Sequence, residues 1–140
     1  MALRQQPPKQ DRGTGKNTIL LVDDDLSNAL VLEMLLQSET PYHILRFATA
    51  RDVLQRVEEI QACKPVLFVF DYKLESLTGL ELSQQLSVVE GLEQIPTILM
   101  TAGRLTTDLE RAIAQSPSLK LIYKPYDIDE LLAVIQRSIR

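Results

Sequence analysis

Cysteine, histidine and glycine are all scarce in this chain, and each scarcity closes off a class of chemistry. Among 140 residues there are one cysteine, one histidine and five glycines. The lone Cys63 excludes an internal disulfide and fits a reducing compartment. No neighbouring histidine or motif would activate it, so it reads as a structural or incidental thiol. His43 falls near the start of a strand-like run and reads as a strand-edge or surface residue. Gly13-Thr14-Gly15-Lys16 fails as a phosphate-binding loop, because Gln10 stands where a glycine is needed and Asn17 where Ser or Thr is needed. That segment also precedes a strand instead of following one. No apolar stretch approaches the ~20 residues of a membrane span, and the start lacks the charged, apolar, small-residue order of a secretion signal. A basic excess is missing too. Asp and Glu number 19 against 15 Lys and Arg, for a net charge of −4, which argues against direct binding to nucleic acid. The expected setting is the cytoplasm, with no membrane and no nucleic-acid partner.

What is present suits one soluble domain. A chain of this length, 45% hydrophobic and 24% charged, can bury a core without staples. Residues 1–17 have almost no apolar content and read as a flexible, mildly basic leader, with Arg4, Lys9, Arg12 and Lys16 set against Asp11. The domain is expected over 18–140. From Thr18 onward, strand-like runs alternate with helical patterns, the signature of a parallel sheet built from βαβ units. A first helix over about 27–37 carries Leu30, Met34 and Leu35 on one face, with Pro41 at its exit. The second strand, about 42–48, leads to a helix with Val53, Leu54 and Val57 inward. A third strand covers 66–70, and Thr78-Gly79-Leu80-Glu81 then forms a capping-box pattern. Thr107 to Glu110 repeats that pattern before a weaker helix, whose face of Leu109, Ala112 and Ile113 makes it the loosest packed. The last strand, about 119–123, precedes a helix capped by Asp127 and patterned by Ile128, Leu131, Leu132, Ile135 and Ile139. Tyr42, Phe47, Phe68 and Phe70 read as core aromatics. Five strands and five helices use up the chain in one α/β doubly wound, five-stranded parallel sheet with helices on both faces.

Four apolar runs in this layout end in residues able to handle a phosphoryl group. Ile19 to Val22 runs into Asp23, Asp24 and Asp25; Val66 to Phe70 into Asp71; Ile98 to Met100 into Thr101; Leu121 to Tyr123 into Lys124. Nearly unbroken apolar strands belong to parallel sheets covered on both faces, and ligands bind outside their carboxyl ends. The five side chains at 23, 24, 71, 101 and 124 therefore form one expected constellation. Magnesium takes hard oxygen ligands, commonly one or two carboxylates with waters and a phosphate. Without a cation, like charges at ~4 Å repel by ~4 kcal/mol per pair at an effective dielectric near 20. Such crowding makes sense only if a metal or Lys124 offsets it. Asp71, alone at the end of the middle strand, is the best nucleophile for a covalent acyl phosphate. Lys124 and Thr101 would neutralise and position the phosphoryl oxygens. Asp25 is the acid most readily explained as an N-terminal helix charge.

From about Thr18 to Arg140 the chain resembles the response-regulator receiver domains of two-component signalling. The matching motifs are ILLVDDD at 19–25, FVFD at 68–71 with Gly79 eight positions on, ILMTA at 98–102 and YKPY at 123–126. The resemblance implies a flavodoxin-like fold with strand order 2-1-3-4-5. It assigns Asp71 as phosphoacceptor, Asp23 and Asp24 with Asp71 as Mg2+ ligands, Thr101 as switch hydroxyl and Lys124 as the phosphoryl-contacting lysine. It also implies a cis Lys124-Pro125 bond. The function it implies is a stand-alone signalling domain, not a turnover enzyme. Asp71 would take phosphate from a sensor histidine kinase or phosphotransfer protein and switch a surface around the loop and helix after Thr101. A downstream protein would read that surface, and a phosphorylation-dependent homodimer is a second route of output. His43, on a strand, is not a phosphodonor.

Three positions depart from the family pattern. Leu121 stands where an aromatic is usual, and Tyr123 lies two residues on, on the same strand face. Leu74-Glu75 replaces a frequent Met-Pro, which frees a backbone φ angle in that loop. Lys73 lies two after Asp71, where its charge either faces solvent or alters the acyl-phosphate lifetime. Two rival readings use the same residues. One is a Mg-dependent phosphohydrolase with Asp23 as nucleophile and Asp71 structural. The other is a phosphorylation-independent adaptor.

Overall fold

A computed structural model describes residues 18–139; the expected leader at 1–17 lies outside them. Five parallel strands form one sheet: β1 (Thr18–Val22), β2 (His43–Phe47), β3 (Leu67–Asp71), β4 (Thr97–Thr101) and β5 (Leu119–Tyr123). Their spatial order is β2-β1-β3-β4-β5, so the order 2-1-3-4-5 and the doubly wound architecture hold. The register places Val22 beside Phe70, Asp71 beside Met100, and Thr101 beside Tyr123. Side chains of successive strand residues point to opposite faces, and both faces are dry. Leu20, Val22, Phe68, Phe70 and Leu99 join one core layer, while Ile19, Leu21, Val69, Ile98 and Met100 join the other. Phe68 and Phe70 stack with centroids 5.1 Å apart.

Six helices cover the sheet: α1 (Leu26–Glu39), α2 (Ala50–Gln55), α3 (Val57–Cys63), α4 (Gly79–Leu86), α5 (Thr107–Gln115) and α6 (Ile128–Ser138). Helices α1 and α6 pack on one face, α2 to α5 on the other. The expected single helix after β2 is two helices, broken at Arg56, whose backbone (φ −123°, ψ 32°) leaves the helical region. Its guanidinium lies over the Phe47 ring and pairs with Glu59 at 2.8 Å. Two caps are as the pattern implied: Asp127 accepts the Glu130 N–H, and Thr78 and Glu81 complete a reciprocal capping box. Asp25, expected as a charge at the helix N-terminus, is the N-cap of α1 and accepts the Asn28 N–H. Helix α5 is capped one residue earlier than expected, by Thr106 accepting the Leu109 N–H, so Thr107 is already helical and Glu110 closes no box. Leu109 is its only buried residue.

The first helix departs most from its pattern. Ala29, Leu32 and Leu36 face the sheet. The Leu30, Met34 and Leu35 face is turned outward, with Leu26 and Val31 beside it. Apolar residues encircle this helix, so their spacing alone does not single out the face that packs on the sheet.

Candidate functional site

Strand ends bring the expected residues together at one rim. Side-chain oxygens of Asp23, Asp24 and Asp71 lie within 4.8 Å of one another. Asp23 and Asp71 are buried, and Asp24 is exposed, opening the cluster to solvent. Register explains the convergence: Val22 pairs with Phe70, so the acids that follow emerge side by side from β1 and β3. Lys124 arrives from β5 and places Nζ 3.0 Å from Asp71 Oδ1. Its own N–H donates to the Thr101 carbonyl at 2.8 Å, and the Lys124-Pro125 bond is cis. Thr101, one residue beyond the Met100 that pairs with Asp71, is buried and its Oγ1 accepts the Gly103 N–H at 3.1 Å.

The electrostatics follow from this crowding. Burial pushes the Asp71 carboxyl above its ordinary range, against the opposing hydrogen bond and charge of Lys124. Asp23 is likewise raised by burial first and by Asp71 to a lesser degree, while the Asp25 N–H opposes at 3.0 Å from Oδ1. Both acids therefore resist carrying charge here without further positive charge. Three hard oxygen donors, a solvent opening and a single ammonium form a set that fits a divalent cation with retained waters.

Two residues gain roles that motif reading missed. Gly79 was legible as a spacing, but its reason is steric: a methyl group built there overlaps the Asp71 carbonyl oxygen, and the Gly79 N–H donates to the Tyr72 carbonyl at 2.7 Å. The N-terminus of α4 thus clamps the strand end that presents Asp71. Tyr126 lies half-buried with its hydroxyl raised by burial and then by the Asp23 and Asp71 charges.

At the departures, Leu121 is half-buried against the α4–α5 side of the core, while Tyr123 is 46% exposed. Leu74 is buried, and Lys73 bridges Thr78 across the loop, so burial and pairing hold a segment that lacks proline. The Lys73 side chain is exposed. Cys63 ends α3 half-buried, its thiol pushed up by burial and then by Glu59. His43 is exposed on an edge strand. No helix among the described residues is long and apolar enough to cross a membrane.

Comparisons with known proteins agree with the geometry. The DNA-binding transcriptional regulator NtrC of Proteus hauseri is 33% identical over 126 residues, covering 89% of this chain and 25% of that protein. The chain thus spans about a quarter of that relative's length. Chemotaxis protein CheY4 of Vibrio cholerae shares the fold with a TM-score of 0.76 at 19% identity, over 88% of this chain and 98% of that one. The signal receiver domain of a histidine kinase from Syntrophus aciditrophicus does so at 0.73 and 23% identity, over 88% and 89%. The family model described as the response regulator receiver domain matches residues 19–136. With motifs, topology and rim acids in agreement with that match, this chain belongs to the response regulator receiver domain family.

Proposed function

We propose that this receiver domain accepts a phosphoryl group from a phosphohistidine onto Asp71 in the presence of Mg2+. The observation that carries the reading is the convergence of the Asp23, Asp24 and Asp71 oxygens within 4.8 Å, with the Lys124 ammonium 3.0 Å from Asp71. Asp23, Asp24 and Asp71 would hold the cation, which supplies charge neutralisation for the incoming phosphoryl oxygens. An Asp71 oxygen attacks phosphorus; the O–P bond forms as the N–P bond breaks, and the electron pair stays on the departing imidazole. Lys124 then passes from the Asp71 carboxylate to a phosphoryl oxygen. The Thr101 hydroxyl, an acceptor from Gly103 at 3.1 Å, turns to donate to another.

That turn is how the signal leaves the site. The segment 102–106 is exposed, and α5 behind it buries only Leu109 fully, with Ala112 and Ile113 packed partly buried beside it. Few buried contacts make such a region easy to rearrange, and phosphorylation acts as a local charge event biasing it. A downstream protein, or a second copy of the chain, reads the changed surface. The phosphodonor approaches elsewhere. Leu26, Leu30, Val31, Met34 and Leu35 form an exposed apolar strip that starts directly after Asp25. An apolar patch continuous with the acid rim suits a protein donor, a sensor kinase or phosphotransfer protein. The role is signalling and not conventional turnover, in a reducing cytoplasm that suits the free Cys63.

Transfer from a radiolabelled, autophosphorylated histidine kinase tests this reading. Label should move to the chain with Mg2+ and stay on the kinase with EDTA. Label that never leaves any of a panel of kinases, nor small phosphodonors, would remove it.

A further inference from the structure

Tyr126 carries a hydroxyl that packing alone does not require. The residue sits between two anchored neighbours: Lys124 N–H donates to Thr101, and the Asp127 carboxylate accepts the Glu130 N–H at 2.8 Å. Its ring packs against the core layer beneath α1 and α6, which a phenylalanine would serve equally. The hydroxyl donates to Met100 Sδ at 3.4 Å, and a thioether is a weak acceptor. Met100 is fully buried and pairs in register with Asp71, so this phenol lies directly behind the acid-bearing strand ends.

Its surroundings hold better acceptors. The Asp23 and Asp71 charges both act on the phenol. Asp71 is engaged by Lys124. Asp23 is 3% exposed and accepts only the Asp25 N–H; among the described residues no side chain donates to it. A hydrogen bond to a charged oxygen is roughly twice as strong as a neutral one, and a bridging water extends its reach. A weakly held donor thus lies on Met100, the register neighbour of Asp71, and the Asp71 oxygens lie within 4.8 Å of those of the under-supplied Asp23.

We propose that Tyr126 is a positioning residue of the acid cluster: with a divalent cation bound, its hydroxyl leaves Met100 and donates, directly or through one water, to Asp23. This rests on the metal-binding reading given above. The exchange moves one hydrogen bond and breaks no covalent bond. It fixes the orientation in which Asp23 presents its other oxygen to the cation, the role that outer hydrogen bonds commonly play around ligating carboxylates.

Mg2+ titration followed by the backbone NMR shifts of residues 23–25 and 71–73 gives the test. Tyr126→Phe should bind Mg2+ about tenfold more weakly than the wild type, with an unchanged or higher metal-free Tm. Met100→Leu removes the sulfur and keeps the hydroxyl, so it should bind Mg2+ at least as tightly as the wild type. In the wild type, a carbon-13 label at Tyr126 Cζ should shift as Mg2+ saturates, a response that ring packing alone does not produce. Affinity of Tyr126→Phe within twofold of the wild type, or a Cζ resonance that ignores Mg2+, overturns the proposal. If the wild type binds Mg2+ and is labelled on Asp71 while Tyr126→Phe matches it, this inference alone fails. A wild type that binds no Mg2+ removes both.

Discussion

Lys124 Nζ lies 3.0 Å from Asp71 Oδ1, joining the ends of β5 and β3 across 53 residues of sequence. The pair is partly shielded from water, with side-chain exposures of 27% and 11%. A charge pair in such surroundings is worth more than a surface one, and losing one partner strands the other. Lys124→Ala should leave Asp71 without its counter-charge both before and after phosphoryl transfer. The rates of acyl-phosphate formation and loss should both fall, by about 10²-fold. Stopped-flow measurement with a small phosphodonor checks this, and unchanged rates would contradict it.

Burial raises both Asp23 and Asp71, so the folded chain binds these protons more tightly than the unfolded chain. The stability they contribute is fully present below the ordinary carboxylate range and is lost as pH rises through their raised values. In EDTA, Tm should therefore climb as pH falls from neutrality toward the ordinary carboxylate range. Asp23→Asn should flatten that climb and, at neutral pH without metal, stabilise the fold. Mg2+ at a hundred times its dissociation constant should stabilise the wild type by about 2.7 kcal/mol and the variant far less. Thermal denaturation across pH and metal concentration reads all three.

Gly79 is required by the close approach of α4 to the Asp71 carbonyl oxygen. Gly79→Ala should cost about 1–3 kcal/mol through overpacking and also weaken Mg2+ binding by displacing the strand end. Thr78→Ala, which removes only the cap hydroxyl, should cost about 1 kcal/mol with Mg2+ affinity unchanged. Denaturant unfolding paired with metal titration separates the two. Equal metal affinity in both variants would contradict the clamp.

Tyr123 is the aromatic nearest the usual switch position, and its ring is 46% exposed. If it couples to Thr101, its register partner, the ring should turn inward when a beryllofluoride phosphoryl mimic binds. Ring NMR shifts and solvent accessibility with and without the mimic measure this. A ring equally exposed in both states would mean that output runs through the loop after Thr101 without an aromatic lever.

Much of this architecture was legible in the chain because strand cores and their polar ends are local signals. Ile19–Val22 and Phe68–Phe70 are apolar without a break, as strands buried on both faces must be, and Asp23 and Asp71 follow them directly. Caps such as Thr78 and Asp127 were legible for the same reason. Tertiary contacts decided the rest. The break at Arg56 follows its seat on Phe47 and Glu59, which no spacing encodes. Ala29, Leu32 and Leu36 form the buried face of α1, while Leu30 and Met34 look equally apolar and lie outside. Thr106 and Thr107 are alike as caps, and only the backbone path chooses between them. The clamp at Gly79 and the seat of Tyr126 needed coordinates, since each depends on a neighbour far off in sequence.

The central claim is that Asp71 is the atom-level acceptor of phosphate. Intact-mass analysis after incubation with acetyl phosphate and Mg2+, followed by borohydride trapping and peptide mapping, measures it directly. The wild type should gain one phosphoryl group, mapped to Asp71, and Asp71→Asn should gain none under the same conditions. Full labelling of Asp71→Asn, or a modification mapped to Asp23, would contradict the account.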